Sequence, residues 1–413
     1  MTSNIPIPAP YISRFEQLGL GMFVHFGLYS ALHSGEWTMK LNNRDKAEYR
    51  RLMETFDPVS VAEIVKVGHD AGCKYICITT RHHDGFSLYD TCGLNDYDAP
   101  HALAGRDLIR EFVDECRKFD IIPFFYHTTL DWVHPDFKEN FDAYLEYLRK
   151  SVELLCKNYG KIGGLWFDGW WDKPNEDWEF DELYALIRRN QPTAMIINNT
   201  GLGRLGEVGH PEIDSVTFER GRPFKINTPD SPKYVASEMC QIFGDHWGYA
   251  ALDFNFKSLA TIIKDYCCCR RYGSNLLLNV GPKEDGYLRR LDTAMLLTLG
   301  DWIEIVKEAV VGTSPTEIEV DGEEGDFIMK GDGAYYLFCN NLLQRGSANV
   351  VKKADGGLSY EDKFKLSEKI KSVKWLVGGG ELSFTQDGDD VLVNTEPRPY
   401  GESMVVRIAK IEI

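Results

Sequence analysis

Short apolar segments alternate with longer segments of helical periodicity from the start of the chain to about residue 310. Apolar segments of this length predict buried β-strands, and the periodic segments between them predict helices. The predicted strands are residues 21–26, 74–80, 121–126, 165–167, 194–198, 215–218 and 275–280. Strands alternating with helices indicate a parallel α/β fold, and the length favours a TIM-like (β/α)8 barrel over residues 1–313.

The hydrophobic pattern changes after Pro315. Apolar and polar positions now alternate, as they do in strands that bury one face. Strands are predicted at residues 327–330, 334–338, 373–377, 391–393 and 404–408, with Asp-Gly turns at 321–322, 332–333 and 387–388. Residues 314–413 therefore predict a second domain, a small C-terminal antiparallel β-sandwich.

Polar side chains gather where the predicted barrel strands end. They are His25, His82, His83, Asp84, Tyr126, His127, Asp168 and Glu219. In a barrel of this kind the carboxyl ends of the strands meet at one rim, where the active site is built. No G-x-G-x-x-G follows the first predicted strand, so a dinucleotide-binding sheet is not favoured.

Asp168 ends an apolar segment and is followed by Trp170 and Trp171, with Trp166 two residues before it. A carboxylate in such surroundings is costly to desolvate unless it has a partner or a function. Aromatic rings pack against the apolar faces of a sugar while polar groups bind its hydroxyls, so the segment favours a sugar pocket. The alternative is that Asp168 caps the next helix, because Asp is a favoured N-cap.

Two further segments fit sugar recognition. His25 follows the first strand, and the next loop carries Glu36 and Trp37. Singly, His25 is more typical of a core histidine and Glu36 of an ordinary exposed glutamate, whereas together these residues supply hydrogen-bonding groups and a ring. His82 and His83 are adjacent at a strand end, so we expect them to point to opposite sides of the chain. A metal is the competing interpretation of this pair, but the H-E-x-x-H spacing of a zinc helix is absent, and we expect no metal and no cofactor.

A glycosidase needs a second carboxylate beside Asp168. Glu219 and Glu238, which we place at the ends of later strands, are the main candidates, and Glu207 and Glu212 of a glycine-rich loop rank lower. The neighbouring Arg220 is compatible with a plain surface ion pair and would lower the pKa of Glu219. The residues alone do not decide between the two glutamates.

The composition limits the classes of partner. The chain carries 46 basic and 63 acidic residues, and its net charge of -17 argues against nucleic acid and anionic membranes. No apolar segment is long enough to span a membrane. The spacing of the 10 cysteines predicts reduced thiols rather than a zinc site or a disulfide framework. Without a signal-peptide pattern we expect a cytoplasmic location, or a secreted or periplasmic one if a leader has been removed; a homo-oligomer is left open.

Taken together, these segments resemble the α-L-fucosidases of glycoside hydrolase family 29. The matching segments run in family order from residue 20 to residue 286 and cover almost the whole predicted barrel. They are residues 21–30, 35–37, 82–86, 126–135, 165–169, 247–249, 275–282 and 285–286. Each segment is moderately specific, and the ordered set is highly specific. The trailing sandwich also matches the architecture of the family.

The resemblance implies a retaining, exo-acting α-L-fucosidase whose substrate is a fucosylated oligosaccharide or glycoconjugate. Asp168 matches the family nucleophile, and Glu219 corresponds to the acid/base, with Glu238 as the alternative. The residues that match sugar-binding positions are His25, Glu36, Trp37, His82, His83, Tyr126, Trp166 and Trp247. Trp247 corresponds to an aromatic beside the methyl group of the sugar. Arg204 and Arg220 are both candidates for the family's sugar-binding arginine.

Two other functions stay open at this point. The first is a fucose-binding protein that keeps the pocket and has lost turnover. The second is a barrel glycosidase for a related sugar such as a galactoside, because a hydrophobic pocket rejects an added hydroxyl group only modestly.

Overall fold

The computed structural model describes residues 5–59, 61–342, 360–399 and 401–413. The chain divides into two compact units. One comprises Met1–Lys257 and Asn275–Leu297, and the other Ser258–Ser274 and Thr298–Ile413. The domain boundary predicted between residues 313 and 314 stays a prediction. Within the described residues, no helix has both the length and the apolar character needed to cross a membrane, and no disulfide joins any of the cysteines.

Eight parallel strands form a closed barrel in the first unit, in the order of the chain, with the last strand paired to the first. The strands are β1 (Leu20–Val24), β2 (Tyr75–Arg81), β3 (Ile122–Thr128), β4 (Gly164–Asp168), β5 (Met195–Asn198), β6 (Ser215–Glu219), β7 (Ala236–Ile242) and β8 (Asn275–Val280). Nearly all of their residues are buried, which explains why most of them form continuous apolar segments in the sequence. The predicted barrel is confirmed.

Strand β7 is the barrel strand that the apolar pattern did not predict. Its sequence is interrupted by Ser237, Glu238 and Gln241, yet all seven residues are buried. Glu238 can lie in the barrel interior because its two carboxyl oxygens accept hydrogen bonds from Tyr75 and Trp166. A polar group that is paired inside the barrel costs far less than an unpaired one, so the strand tolerates it.

Helices connect most of the barrel strands, but among the described residues none lies between β5 and β6 or between β6 and β7. The α-helices are α1 (Pro10–Glu16), α2 (Thr38–Leu41), α3 (Lys46–Arg50), α4 (Ala62–Asp70), α5 (Leu108–Lys118), α6 (Asp136–Glu139), α7 (Phe141–Asn158), α8 (Phe180–Asn190), α9 (Leu259–Arg271), α10 (Arg290–Ile305) and α11 (Lys307–Val310). Short 3-10 helices lie at Leu28–Leu32, Arg51–Glu54, Ala99–His101 and Trp170–Asp172. Several α-helices begin at a capping side chain, as at Asp107 and Ser258.

Aromatic side chains fill the interior of the barrel. Phe15 of α1 packs against Tyr75 and Phe124 with ring centroids 5.6 and 5.7 Å apart. Phe23 and Trp166 continue the same core cluster toward the carboxyl ends of the strands. Each buried aromatic contributes roughly 1.5–3 kcal/mol to folding. Because the interior is filled from this side, the floor of any pocket at the carboxyl ends is formed by Phe23 and Trp166.

The second unit contains two antiparallel sheets. One has the strand order β13-β16-β11-β10-β9 and the other the order β12-β15-β14. The strands are β9 (Ser314–Pro315), β10 (Phe327–Lys330), β11 (Ala334–Cys339), β12 (Tyr360–Lys365), β13 (Ser372–Trp375), β14 (Phe384–Asp387), β15 (Asp390–Thr395) and β16 (Arg407–Glu412). Side chains of both sheets share one core, which confirms the predicted sandwich.

Several strands of the sandwich differ from the prediction: β9, β12 and β14 were not predicted, and β16 is displaced along the chain. Strand β12 was not predicted because its outward positions are charged and one inward position is Asp362. The strand predicted at 404–408 begins instead at Arg407. The Asp-Gly turns at 332–333 and 387–388 lie between paired strands, as predicted.

Candidate active site

A pocket opens at the carboxyl ends of the barrel strands. Among the predicted residues, its lining includes His25, Trp37, His82, His83, Tyr126, Trp166, Asp168, Glu219 and Trp247. It also includes residues that the sequence did not single out as site residues: Phe23, Trp171, Asn199, Leu202 and Cys240. Glu36 and Glu238 lie outside this lining. The predicted rim therefore brings together most of the predicted site.

Asp168 is the last residue of β4 and accepts three side-chain hydrogen bonds. Tyr126 donates to Oδ2 at 3.1 Å, Trp171 donates to Oδ1 at 3.0 Å, and Asn199 donates to Oδ1 at 3.3 Å. Burial raises the pKa of Asp168, and these three donors act in the opposite direction because they stabilise the charged form. The carboxylate is thus half-buried, and three hydrogen bonds stabilise its charge.

The alternative role of Asp168 as a helix cap is wrong. The N-cap of the following 3-10 helix is Gly169, which makes no side-chain capping bond. Gly169 has a φ of 104°, and a Cβ at this position would lie 2.5 Å from the Cβ of Leu130. Only glycine fits such a turn. The turn returns the chain so that Trp171 reaches back to the carboxyl group of Asp168.

Glu219 ends β6 and is joined to Asp168 through one amide group. Asn199 Nδ2 lies 2.7 Å from Glu219 Oε2 and 3.3 Å from Asp168 Oδ1. These two oxygens are therefore no farther apart than the sum of the two distances, about 6 Å, which is compatible with the 5–5.5 Å carboxyl separation of retaining glycosidases. The hydroxyl of Thr217 donates to Asn199 Oδ1 at 2.9 Å, which turns the amide nitrogen toward both carboxyls.

The two carboxyls differ in their surroundings. Burial and then the charge of Asp168 raise the pKa of Glu219 to about 7, against the effect of the Asn199 hydrogen bond and of Arg220. Asp168 has three donors, whereas Asn199 is the side-chain hydrogen-bond donor to Glu219. Two neighbouring carboxyls do not both ionise readily, so the proton stays on the less supported one. The surroundings therefore support the charged form of Asp168 more than that of Glu219, whose pKa of about 7 lies close to neutral pH.

Three histidines of the pocket are neutral. Burial lowers the pKa of His25 and of His83 to about 3, and lowers that of His82 well below its ordinary value. The amide nitrogen of Asn279 donates to Trp247 O at 2.8 Å, so its oxygen accepts from His25 Nδ1 at 2.7 Å. His25 Nε2 is then a hydrogen-bond acceptor. Neutral imidazoles suit the recognition of hydroxyl groups.

The expectation that His82 and His83 point to opposite sides of the chain is wrong. Both line the pocket, and their ring centroids are 4.1 Å apart. They follow the end of β2 at Arg81, where the pairing with β3 shifts register between Thr79 and Arg81. Strand alternation does not extend past such an irregularity.

Aromatic rings form the floor and one wall. Trp166 stacks on Tyr126 with centroids 5.6 Å apart and ring planes 20° apart. Trp37 stacks on Trp171 at 5.9 Å and 21°. Trp247 lies 5.2 Å from His25, close to the neutral acceptor described above. The pocket therefore combines ring faces with neutral hydrogen-bonding groups and two carboxyls.

Glu36 and Glu238 are placed behind the pocket. Glu36 is buried and accepts a hydrogen bond from the backbone N–H of Gly248 at 2.7 Å, which holds the segment that carries Trp247. The placement of Glu238 at a strand end is wrong, because it is the third residue of β7 and its register partner is Thr217, two residues before Glu219. Burial raises the pKa of Glu238 to about 7, and Trp166 donates to it at 3.0 Å.

The two arginine candidates lie outside the pocket. Arg204 is 82% exposed and Arg220 is also exposed, and neither belongs to the pocket lining.

In the part of the chain that the structure describes, the group of potential metal ligands is Asp326, Cys339 and Asp362 of the second unit. The histidines and carboxyls of the pocket do not form such a group among these residues.

Asn199 is the most important residue that the sequence analysis missed. It directly follows β5, as His25 follows β1, so it occupies a rim position. The position of Asn199 directly after the strand predicted at 194–198 was a usable signal. An uncharged amide, however, does not by itself indicate a catalytic site. Trp171 lay in the aromatic segment around Asp168, and its position depends on the turn at Gly169.

Comparison with known proteins identifies the family. The family model described as α-L-fucosidase matches residues 7–308. The chain belongs to the α-L-fucosidase family. This family comprises retaining glycoside hydrolases. Tissue α-L-fucosidase of Bos taurus is 27% identical over 412 residues, which cover 89% of this chain and 84% of that protein. The human tissue α-L-fucosidase is 25% identical and covers 81% of this chain and 76% of its own length.

Solved α-L-fucosidase structures share the fold. Isoenzyme 1 from Paenibacillus thiaminolyticus superposes with a TM-score of 0.81 at 28% identity and covers 98% of both chains. A family 29 α-L-fucosidase from Bacteroides thetaiotaomicron, trapped as a covalent intermediate, superposes with a TM-score of 0.80 at 20% identity, over 99% of this chain and 97% of that one. The barrel and the antiparallel sheets are thus the architecture of the family.

The histidine assignment can be tested by titration. In a histidine-labelled sample followed by NMR, His25 and His83 should stay neutral from roughly pH 8 down to pH 5 because their burial disfavours the charged form. His101 is an internal control, because its hydrogen bond to Asp98 raises its pKa and it should gain its proton in the upper part of this range. A protonated His83 at pH 6 would contradict the described pocket.

Proposed function

We propose that this protein is a retaining, exo-acting α-L-fucosidase that hydrolyses terminal α-L-fucosyl linkages of glycans. In this proposal Asp168 is the nucleophile and Glu219 the acid/base. The observation that carries the proposal is the single Asn199 amide that donates to both carboxyls. It sets them at a separation compatible with a covalent intermediate.

The chemistry takes two steps. In the first, a carboxylate oxygen of Asp168 forms a bond to the anomeric carbon while Glu219 gives its proton to the leaving glycosidic oxygen. In the second, Glu219 is a carboxylate and takes a proton from water, whose oxygen displaces Asp168 from the same carbon. The raised pKa of Glu219, about 7, suits a group that first gives and then takes a proton.

The remaining pocket residues suit a deoxy sugar. His25, His82 and His83 are neutral and can bind hydroxyl groups without introducing charge. The ring of Trp247, with Phe23 at 5.9 Å, offers an apolar surface for a methyl group. The Bacteroides thetaiotaomicron relative was trapped with 2-fluoro-fucosyl fluoride, and that ligand supports fucose as the sugar here. Among the described residues, nothing favours a binding protein without turnover over this proposal.

Replacing Asp168 tests the function directly. Asp168→Ala should abolish hydrolysis of an aryl α-L-fucoside, because the covalent step loses its nucleophile. Azide fits the space left by the carboxylate and should partly restore turnover, with β-fucosyl azide as the inverted product, detected by NMR. Asp172→Ala is the matched control, since Asp172 is an exposed carboxylate four residues farther on. Full activity in Asp168→Ala would refute the assignment.

The two glutamates can be separated by leaving group and pH. The wild-type kcat/KM should fall as the pH rises through about 7, because Glu219 must be protonated to act as an acid. Glu219→Gln should remove this limb, slow fucosides of poor leaving groups by roughly 100- to 10,000-fold and spare α-L-fucosyl fluoride in the first step. Glu238→Gln should keep the limb, because the carboxamide still accepts from Trp166. The opposite pattern would give the acid/base role to Glu238.

A further inference from the structure

Three exposed apolar side chains lie on the loops that follow β5 and β6, the two loops that border the strand ending at Glu219. Leu202 is 44% exposed, Leu205 is 37% exposed and Phe224 is 49% exposed. We call these three residues the apolar lip. Leu202 itself belongs to the pocket lining. Exposed apolar side chains that adjoin a pocket are typical of a surface that contacts a ligand.

The loop that carries the two leucines is held against β6. The backbone N–H of Gly206 donates to Thr217 O at 3.0 Å, and the hydroxyl of Thr200 donates to Glu207 O at 2.6 Å. A Cβ on Gly201 would lie 2.5 Å from the same Thr217 oxygen, so the loop backbone is in close contact with the strand. Thr217 also orients Asn199. The lip is therefore positioned by the strand that ends at Glu219.

The contacts of Leu205 and Phe224 place the rest of the lip. A Cβ on Gly221 would lie 2.3 Å from Leu205 Cδ1, so Leu205 covers the chain two residues after Glu219. Phe224 packs edge-on against Phe218 of β6 with centroids 5.0 Å apart. These contacts fix one side of each side chain and leave the other side exposed.

The lip lies on the side of the pocket from which the leaving group departs. The acid that protonates a glycosidic oxygen must face the leaving group. The proposed acid Glu219 ends β6, and the lip is formed by the loops that border this strand. The groups proposed to hold the sugar, such as His25, His82 and Trp247, come from other loops of the barrel. The lip is therefore next to the place where the aglycone sits.

We propose that Leu202, Leu205 and Phe224 form the aglycone-binding surface, and that the preferred substrates are fucosides whose aglycone presents an apolar face. This inference rests on the proposed function, because only a fucosidase has an aglycone to bind. Fucosides with an apolar aglycone are a narrower substrate class than the sequence alone indicates. Apolar contacts of this size change kcat/KM by about tenfold or more.

The test compares two substrates in one variant. 4-Methylumbelliferyl α-L-fucoside has a broad apolar aglycone, whereas α-L-fucosyl fluoride has none. The double variant Leu205→Ser with Phe224→Ser should lose about tenfold in kcat/KM on the first substrate. On the fluoride it should stay within about twofold of the wild type, which also shows that the variant is folded. Leu103→Ser is the matched control, since Leu103 is 60% exposed and lies outside the pocket lining.

The outcomes separate the two proposals. A selective loss on the aryl fucoside supports the lip. Equal effects on both substrates, no effect on either, or the same loss in Leu103→Ser would overturn the lip and leave the fucosidase proposal standing. If the wild type hydrolyses neither substrate, the proposed function fails, and the inference fails with it.

Discussion

The hydrogen bonds made by the side chain of Asn199 are the interaction on which the site depends. Its amide nitrogen serves Asp168 and Glu219, and its oxygen accepts from Thr217. Without a donor between them, two half-buried carboxyls at this distance would repel each other when both are charged. The amide reduces that repulsion and fixes the separation. It contributes no charge of its own, so the charge of Asp168 still raises the pKa of Glu219.

The ends of three consecutive barrel strands bring these groups together at one rim. Asp168 ends β4, Asn199 follows β5 and Glu219 ends β6, so three consecutive strands place their terminal side chains side by side. Glu238 lies one layer of side chains below Glu219 in the barrel. Its partner in the register is Thr217 rather than Glu219, so its carboxyl joins the barrel core and holds the indole of Trp166. The same residue type thus has a different role two positions deeper.

The sequence predicted the barrel because buried parallel strands leave a continuous apolar signal, and it predicted the rim because barrel ends carry polar residues. It could not predict β7, whose polar residues are satisfied only by partners distant in the chain, such as Tyr75 for Glu238. It could not predict that His82 and His83 face the same pocket, since a register shift precedes them. The Asn199 contacts depend on three strands at once, and no local pattern encodes them.

Intact-mass spectrometry tests most directly whether Asp168, the proposed nucleophile, forms a covalent bond to the sugar. Incubation with 2-deoxy-2-fluoro-α-L-fucosyl fluoride should add one fluorofucosyl group per chain, because the fluorine at C2 slows the second step more than the activated fluoride slows the first. Peptide mapping should place the label on Asp168. No mass gain, or a label on Glu219 or Glu238 instead, would contradict the account.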